Sequence, residues 1–371
     1  MAMYPAGMFY RDALSVLTEE YPSILVSKPR ARPKPSSSES FQFSFFRLSV
    51  AAAKSVLTRD PLSLEMWKEV RAAFYVLDSI VANADGNLRL APGFRKRYRD
   101  FSKTSRTGEL AQALTFVLAQ DVLKYPIVCD FNGYLDSQRI PPMDHDKRTP
   151  DYALLFKNGS RNLSLIESKG SSPESGKGSP KTALSEALKQ CKSADDYIRA
   201  VASYGAASSY GTHVRLAEAS DSWDTVIAFC DPEEPTEFGP ADPLGALRQY
   251  YAAWLVLAGA PYDAELFMEG RLSEDHIDSW ARIARIDGDD YIGPSDRRSF
   301  DLFTPFKAVW RERRRPWYRM KWAVSAKVMK GLIRKDVNTL MQMFGQELDI
   351  NPGFDGQADF FRDRTLCQWS E

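Results

Sequence analysis

PDYALLFKNGSRNLSLIESKG, residues 150–170, decides the fold of this chain and the chemistry it can present. Two apolar runs of strand length, DYALLFK and NLSLIES, flank Lys157-Asn158-Gly159-Ser160-Arg161, and Asn-Gly between such runs is the strongest short hairpin signal. Side chains alternate faces along a strand, so Glu167 and Lys169 point the same way. Asp151 shares their face only if the connection holds an odd number of residues, because a one-residue slip of register turns every side chain over. The expectation is a three-residue loop, 157–159 or 158–160, with Gly159 or a neighbour in the left-handed region. A two-residue Asn158-Gly159 turn would send Asp151 to the other face.

The neighbours of the hairpin extend it into an α/β unit. Upstream, TGELAQALTFVLAQDVLK at 107–124 has helical apolar spacing, and YPIVCDF at 125–131 is a short apolar strand. Downstream, the loop GSSPESGKGSP at 170–180 leads into a long helix at 181–204 and strand runs at 213–219 and 224–230. The order is helix, strand, hairpin, helix, strand. Two carboxylates on adjacent strands, Asp151 and Glu167, can hold Mg²⁺ through hard oxygen ligands. A divalent cation there can activate water, and the neighbouring ammonium of Lys169 can orient that water or stabilise charge on a phosphoryl group. The plainer alternative is that Asp151 opens a strand while Glu167 and Lys169 form a same-face ion pair on a solvated edge. Against it stands NLSLIESKG, apolar enough for a central strand, where two terminal charges without a task are rare.

With Pro150-Asp151 and Glu167-Ser168-Lys169 on the hairpin, this stretch resembles the PD-(D/E)XK nuclease superfamily, which includes restriction-endonuclease-like enzymes. The resemblance covers roughly 107–231. It implies a restriction-endonuclease-like core, a central mixed sheet flanked by helices, and an Mg²⁺-dependent nuclease, with Mn²⁺ as a substitute ion. On it, Asp151, Glu167 and the Ser168 carbonyl would ligate the metal and Lys169 would serve the nucleophilic water. The preceding helix would offer Glu109, and the following one Gln190 or Tyr197. DNA is the implied substrate ahead of RNA, and restriction or host defence the implied setting. A nuclease-like fold that binds nucleic acid or protein without turnover is the alternative.

The flanks read differently from the core. Residues 1–106 are expected to form a helical N-terminal region, interrupted at 27–40 by SKPRARPKPSSSES, a Pro- and Ser-rich exposed linker with four basic residues. The core is assigned to 107–235, and 236–371 is expected to be mostly helical. Lys+Arg and Asp+Glu each number 49, so the net charge is zero, which by itself argues against a nucleic-acid partner. The zero is a cancellation. From Glu218 to Asp290 there are 17 acidic and 4 basic residues, and from Arg297 to Lys335 there are 13 basic and 2 acidic ones. A knot at 94–106 adds six more basic residues against one acidic.

In the basic stretch, Thr304-Pro305 is an acceptable helix start and Pro316 should break or kink that helix after Arg315; an amphipathic helix is expected beyond it, with Trp310, Trp317, Tyr318 and Trp322 interleaved nearby. Met320, Val324, Val328 and Leu332 would share its apolar face, and Arg319, Lys327, Lys330 and Arg334 a basic stripe fit for phosphates. The same stripe could instead dock on the chain's own acidic segment.

Other chemistries lack support. The 170–180 loop misses the phosphate-loop spacing, since five residues separate Gly170 from Gly176 and Gly178 follows Lys177. Four scattered cysteines form no Cys-x-x-Cys pair, which argues against a disulfide framework or a structural zinc site. Asp144-His145-Asp146 reads as a polar turn, and Asp287-Gly288-Asp289-Asp290 lacks calcium-loop spacing. The N-terminus does not read as a signal peptide, and the apolar run at 250–262 is too short to span a bilayer. The expectation is an intracellular, cytoplasmic protein without a membrane partner, with homodimerisation or a partner protein left open.

Overall fold

The computed structural model describes residues 4–5, 13–63, 65, 68–69, 77, 79–83, 85–143, 148–176, 178–231, 242–294, 319–346 and 358–370. The chain is an α/β protein built on a mixed seven-stranded sheet. Its strands are β1 (Ala13–Pro22), β2 (Ser37–Ser44), β3 (Ile127–Asp130), β4 (Tyr152–Leu155), β5 (Leu163–Ser171), β6 (Ala206–Arg215) and β7 (Val226–Asp231), in the spatial order β2-β1-β7-β6-β5-β4-β3. The pairs β5/β6 and β7/β1 are parallel and the others antiparallel.

The helices that cover the sheet are α1 (Phe45–Leu57), α2 (Asp100–Asp121), α3 (Lys181–Val201) and α4 (Leu244–Leu257). The succession α2, β3, β4, β5, α3, β6 is the helix, strand, hairpin, helix, strand order expected from the sequence. Strand β5 lies in the interior of the sheet, and its first six residues are buried. This is the surrounding expected for LSLIES. Helix α2 packs so closely on the end of β5 that a Cβ at Gly170 would stand 2.2 Å from the Thr107 carbonyl.

The hairpin register pairs Tyr152 with Ile166, Ala153 with Leu165 and Leu154 with Ser164, which sets Asp151 opposite Glu167. The parity needed to bring them together therefore holds, but the loop length does not. Seven residues, 156–162, join the strands, with a single 3₁₀ turn at Lys157–Gly159 in place of a three-residue loop. Phe156, Asn158 and Gly159 all adopt positive φ, so the left-handed Gly159 is as expected. The longer loop follows from a distant partner. Phe156 stacks on Phe344 with ring centroids 5.0 Å apart, and a Cβ at Gly159 would meet the Met341 carbonyl at 2.6 Å.

Both flanks differ from expectation. The N-terminal region is not simply helical, because β1 and β2 extend the central sheet. Leu14 and Val16 alternate into the core, so period 2 prevails there. The C-terminal region carries a second, antiparallel sheet as well as helices. Its strands are β8 (Ala281–Ile286), β9 (Asp289–Gly293), β10 (Arg319–Ser325), β11 (Ala358–Phe360) and β12 (Thr365–Ser370), in the order β8-β9-β10-β12-β11. Helix α4 is buried over most of its length around Tyr250, Tyr251 and Trp254, as the apolar run at 250–262 suggested. Among the described residues no helix is long and apolar enough to cross a membrane.

Candidate active site

Three elements meet where β4 begins and β5 ends. Asp151 precedes β4, Glu167, Ser168 and Lys169 lie on β5, and Gln190 projects from α3. The Asp151 carboxylate is tied on both oxygens. Gln112 of α2 donates to Oδ1 at 2.7 Å, and the main-chain N–H and hydroxyl of Ser168 donate to Oδ2 at 2.8 and 2.6 Å. On the adjoining positions, Lys169 Nζ donates to Glu167 Oε1 at 2.5 Å and to Gln190 Oε1 at 2.9 Å.

The electrostatics of the pair are unfavourable. Burial, and next the nearby Asp151 charge, push the Glu167 carboxyl up to about 8, against the opposing pull of Lys169. Burial likewise raises Asp151, although Ser168, Gln112 and Lys169 favour its charged form. Glu167 is only 5% exposed, and its Oε2 has no hydrogen-bond partner. One buried and one half-buried carboxylate held above their ordinary range, the buried one with an orphaned oxygen, form a site that a divalent cation would relieve. The residues fit such an ion. Asp151 and Glu167 supply hard oxygens, and the Ser168 carbonyl can join them, because it points to the same side as the Ser168 N–H, past the last β4 pair. Among the described residues no group of three His, Cys, Asp or Glu side chains is gathered to hold a metal, so a cation here would have only this pair and main chain as ligands.

Of the residues expected from sequence, Asp151, Glu167, Ser168, Lys169 and Gln190 come together. Glu109 does not join the hydrogen-bonded set. It accepts a bond from Ser105 at 3.1 Å, its Oε2 is buried without a partner, and it lines a small cavity between α1 and α2 with Ala52, Ser55 and Gln112. The residue of α2 that reaches Asp151 is Gln112, three positions further on and so on the same helix face. That i, i+3 spacing was the signal that could have found it. Tyr197 is also elsewhere, donating to the Pro141 carbonyl at 2.8 Å.

Two further titratable groups border the site. Burial pushes the Asp130 carboxyl up to about 6, and the Asp151 charge adds to the effect. His213 stands opposite Lys169 in the β5/β6 register, where its Nε2 meets Ser171 Oγ at 2.9 Å. Burial, followed by the Arg215 charge, lowers it to about 4, so it is neutral at physiological pH.

The basic stripe is corrected. Arg319 lies on strand β10, paired with Ser370 of β12, and the helix starts only at Ala326 (α5, Ala326–Arg334). Alternating RMKWAVS prefers a strand once β12 offers an edge, and Ser325 caps the helix by accepting from the Val328 N–H at 3.1 Å. Lys330 pairs with Asp278 at 2.6 Å and Arg334 with Glu274 at 2.5 Å, so two of the four cations dock on the acidic segment. Lys327 is exposed. Thr304, Pro305, Trp310, Pro316, Trp317 and Tyr318, like Asp144-His145-Asp146, lie outside the described residues. The four cysteines are free and buried. No protein-family model, curated protein or solved structure matches the chain.

Proposed function

We propose that this chain is a nuclease of the PD-(D/E)XK type that hydrolyses phosphodiester bonds with an Mg²⁺-activated water. The observation that carries this reading is the meeting of Asp151, Glu167 and Lys169 on a register that pairs Asp151 with Glu167, both carboxylates being held above their ordinary range. The ion, when bound by Asp151, Glu167 and the Ser168 carbonyl, would supply a nucleophilic water at neutral pH and neutralise phosphoryl charge.

The chain's own residues do the rest. Gln112 and Ser168 hold the Asp151 carboxylate in one orientation, so its ligand oxygens are arranged before any substrate arrives. Gln190 accepts one of the three Lys169 protons and aims the ammonium across the end of β5. From there Lys169 orients the attacking water and stabilises the negative charge that develops on the phosphoryl oxygens. DNA ahead of RNA, and a role in restriction or host defence, rest on the family resemblance.

The test is cleavage of supercoiled plasmid by the full chain with Mg²⁺ or Mn²⁺. Activity should vanish with a chelator and in Asp151→Ala, and fall about 10²–10³-fold in Lys169→Ala. Undiminished cleavage in both variants would sink the assignment and favour another site. Nucleic-acid binding without cleavage under any of these metals would favour the alternative of a binding module.

A further inference from the structure

We infer that the loop at 28–35 is the surface that grips the phosphate backbone of the nucleic acid, a proposal that rests on the nuclease reading above. Lys28, Arg30, Arg32 and Lys34 alternate with Pro29, Ala31, Pro33 and Pro35, and all four cations are exposed. No ion pair involves any of them among the described residues. The carboxylates on the adjoining β1 are already engaged: Arg215 and Tyr21 bond to Glu19, and Ser37 bonds to Glu20. This differs from α5, whose Lys330 and Arg334 are neutralised by Asp278 and Glu274.

The loop is held in place from the site side. Lys181, the first residue of α3, donates to the carbonyls of Lys28, Pro29 and Ala31 at 2.5, 3.0 and 2.7 Å. An ammonium has three protons, so Lys181 is saturated by the loop and serves as its anchor, leaving the other cations to face outward. Proline on either side limits the conformations open to the unbound loop, which lowers the entropy lost when it binds. The same helix carries Gln190, nine residues beyond Lys181, so the loop's anchor stands about 14 Å along the axis from the Lys169 contact. That is a span of about four nucleotides of one strand of a duplex. The row of cations thus lies off one end of the catalytic cluster, placed to hold the strand whose scissile phosphate reaches Lys169.

The test uses the full chain carrying R30A, R32A and K34A, exposed changes that leave the Lys181 anchor and the core untouched. Binding of a fluorescent duplex is followed by anisotropy across a salt series with Ca²⁺ in place of Mg²⁺. The expected result is a slope of log K against log[salt] shallower by about 2–3. K330A/R334A should keep the full slope. An unchanged slope in the triple variant, or no binding by the unmodified chain at low salt, overturns the proposal. So does loss of binding to anionic lipid vesicles with the duplex isotherm unaltered. If the triple variant loses the slope while the unmodified chain never cleaves with Mg²⁺ or Mn²⁺, the surface stands and the nuclease reading falls.

Discussion

Two lysine–carboxylate pairs in this molecule, one fully buried and one with a half-buried lysine, have the same chemistry and opposite surroundings. Lys54 of α1 and Asp363, in the turn before β12, are both fully buried. Every oxygen of Asp363 is used: Lys54 and Tyr250 donate to Oδ2, while the Thr365 N–H and hydroxyl donate to Oδ1 at 3.0 and 2.5 Å. Burial would raise this carboxyl, but Lys54, Thr365 and Tyr250 outweigh it and hold it below the usual range. Lys169 and Glu167 lie at the end of β5, where one glutamate oxygen is bonded, the other is orphaned, and the carboxyl is pushed up to about 8. A satisfied pair fastens the C-terminal segment to α1 and α4, alongside Arg47, which bonds Asp359 at 2.7 Å. At the end of β5 a buried glutamate oxygen is left without a hydrogen bond. The difference teaches that burial alone does not set a carboxyl's charge; the number of donors its oxygens find decides whether it is held low or pushed up.

The comparison can be broken most sharply at the satisfied pair. Asp363→Ala would leave Lys54 buried without its carboxylate and should cost about 3–5 kcal/mol in urea unfolding. A loss below about 1 kcal/mol would mean that the clamp is not needed for the fold. Since the Asp363 carboxyl is held low, this stabilisation is present above the ordinary carboxylate range and should fade as pH falls below it.

At the unsatisfied pair the sign reverses. The folded state holds the Glu167 proton up to about 8 while the unfolded chain releases it near 4.5, so the native state loses stability as pH rises between those values. Glu167→Gln should therefore be more stable than the native chain by on the order of 1–3 kcal/mol at pH 8, and no different at pH 4. It should also abolish cleavage. Equal melting of the two chains at pH 8 would remove the claim that Glu167 is destabilised.

Mg²⁺ at 100 times its dissociation constant should stabilise the native chain by about 2.7 kcal/mol, seen as a higher melting midpoint, and should leave Asp151→Ala unmoved. Binding must displace the Glu167 proton, so affinity should rise with pH and level off above about 8. A pH-independent affinity would place the ion elsewhere. A smaller effect is expected at Gln190→Ala, with cleavage reduced about tenfold while the Asp363 clamp and the melting midpoint are kept. Lys330→Ala, in an exposed pair, should leave both the midpoint and cleavage where they are.

Much of the core was legible because it rests on local signals. The apolar run before Glu167, the Asn-Gly turn and the amphipathic α3 each carry their own period and place Asp151, Glu167 and Lys169 on the hairpin, while Gln190, beside Tyr197, comes only from the family resemblance. Gln112 escaped notice because glutamine carries no charge to draw attention, although its spacing from Glu109 put it on the same face. The N-terminal strands were harder, because ALSVLTEEYP becomes a strand through pairing with β7, more than 200 residues away. Likewise RMKWAVS fits a helical wheel until β12 provides an edge.

What the residues determine unaided is the order of elements from α2 to β6, since it depends on side-chain period over a few positions, whereas the parity that sets Asp151 beside Glu167 rests on the length of the hairpin connection. What only the tertiary structure decides is which charges are spent. The seven-residue hairpin loop exists because the helix near Phe344 receives it, and Lys330 and Arg334 of α5 are paired with Asp278 and Glu274. The cations at 28–34 are exposed and have no ion-pair partner among the described residues, while Lys181 holds the backbone between them. Charge in a sequence is a sum, whereas charge on a surface depends on which partners the fold brings within about 4 Å.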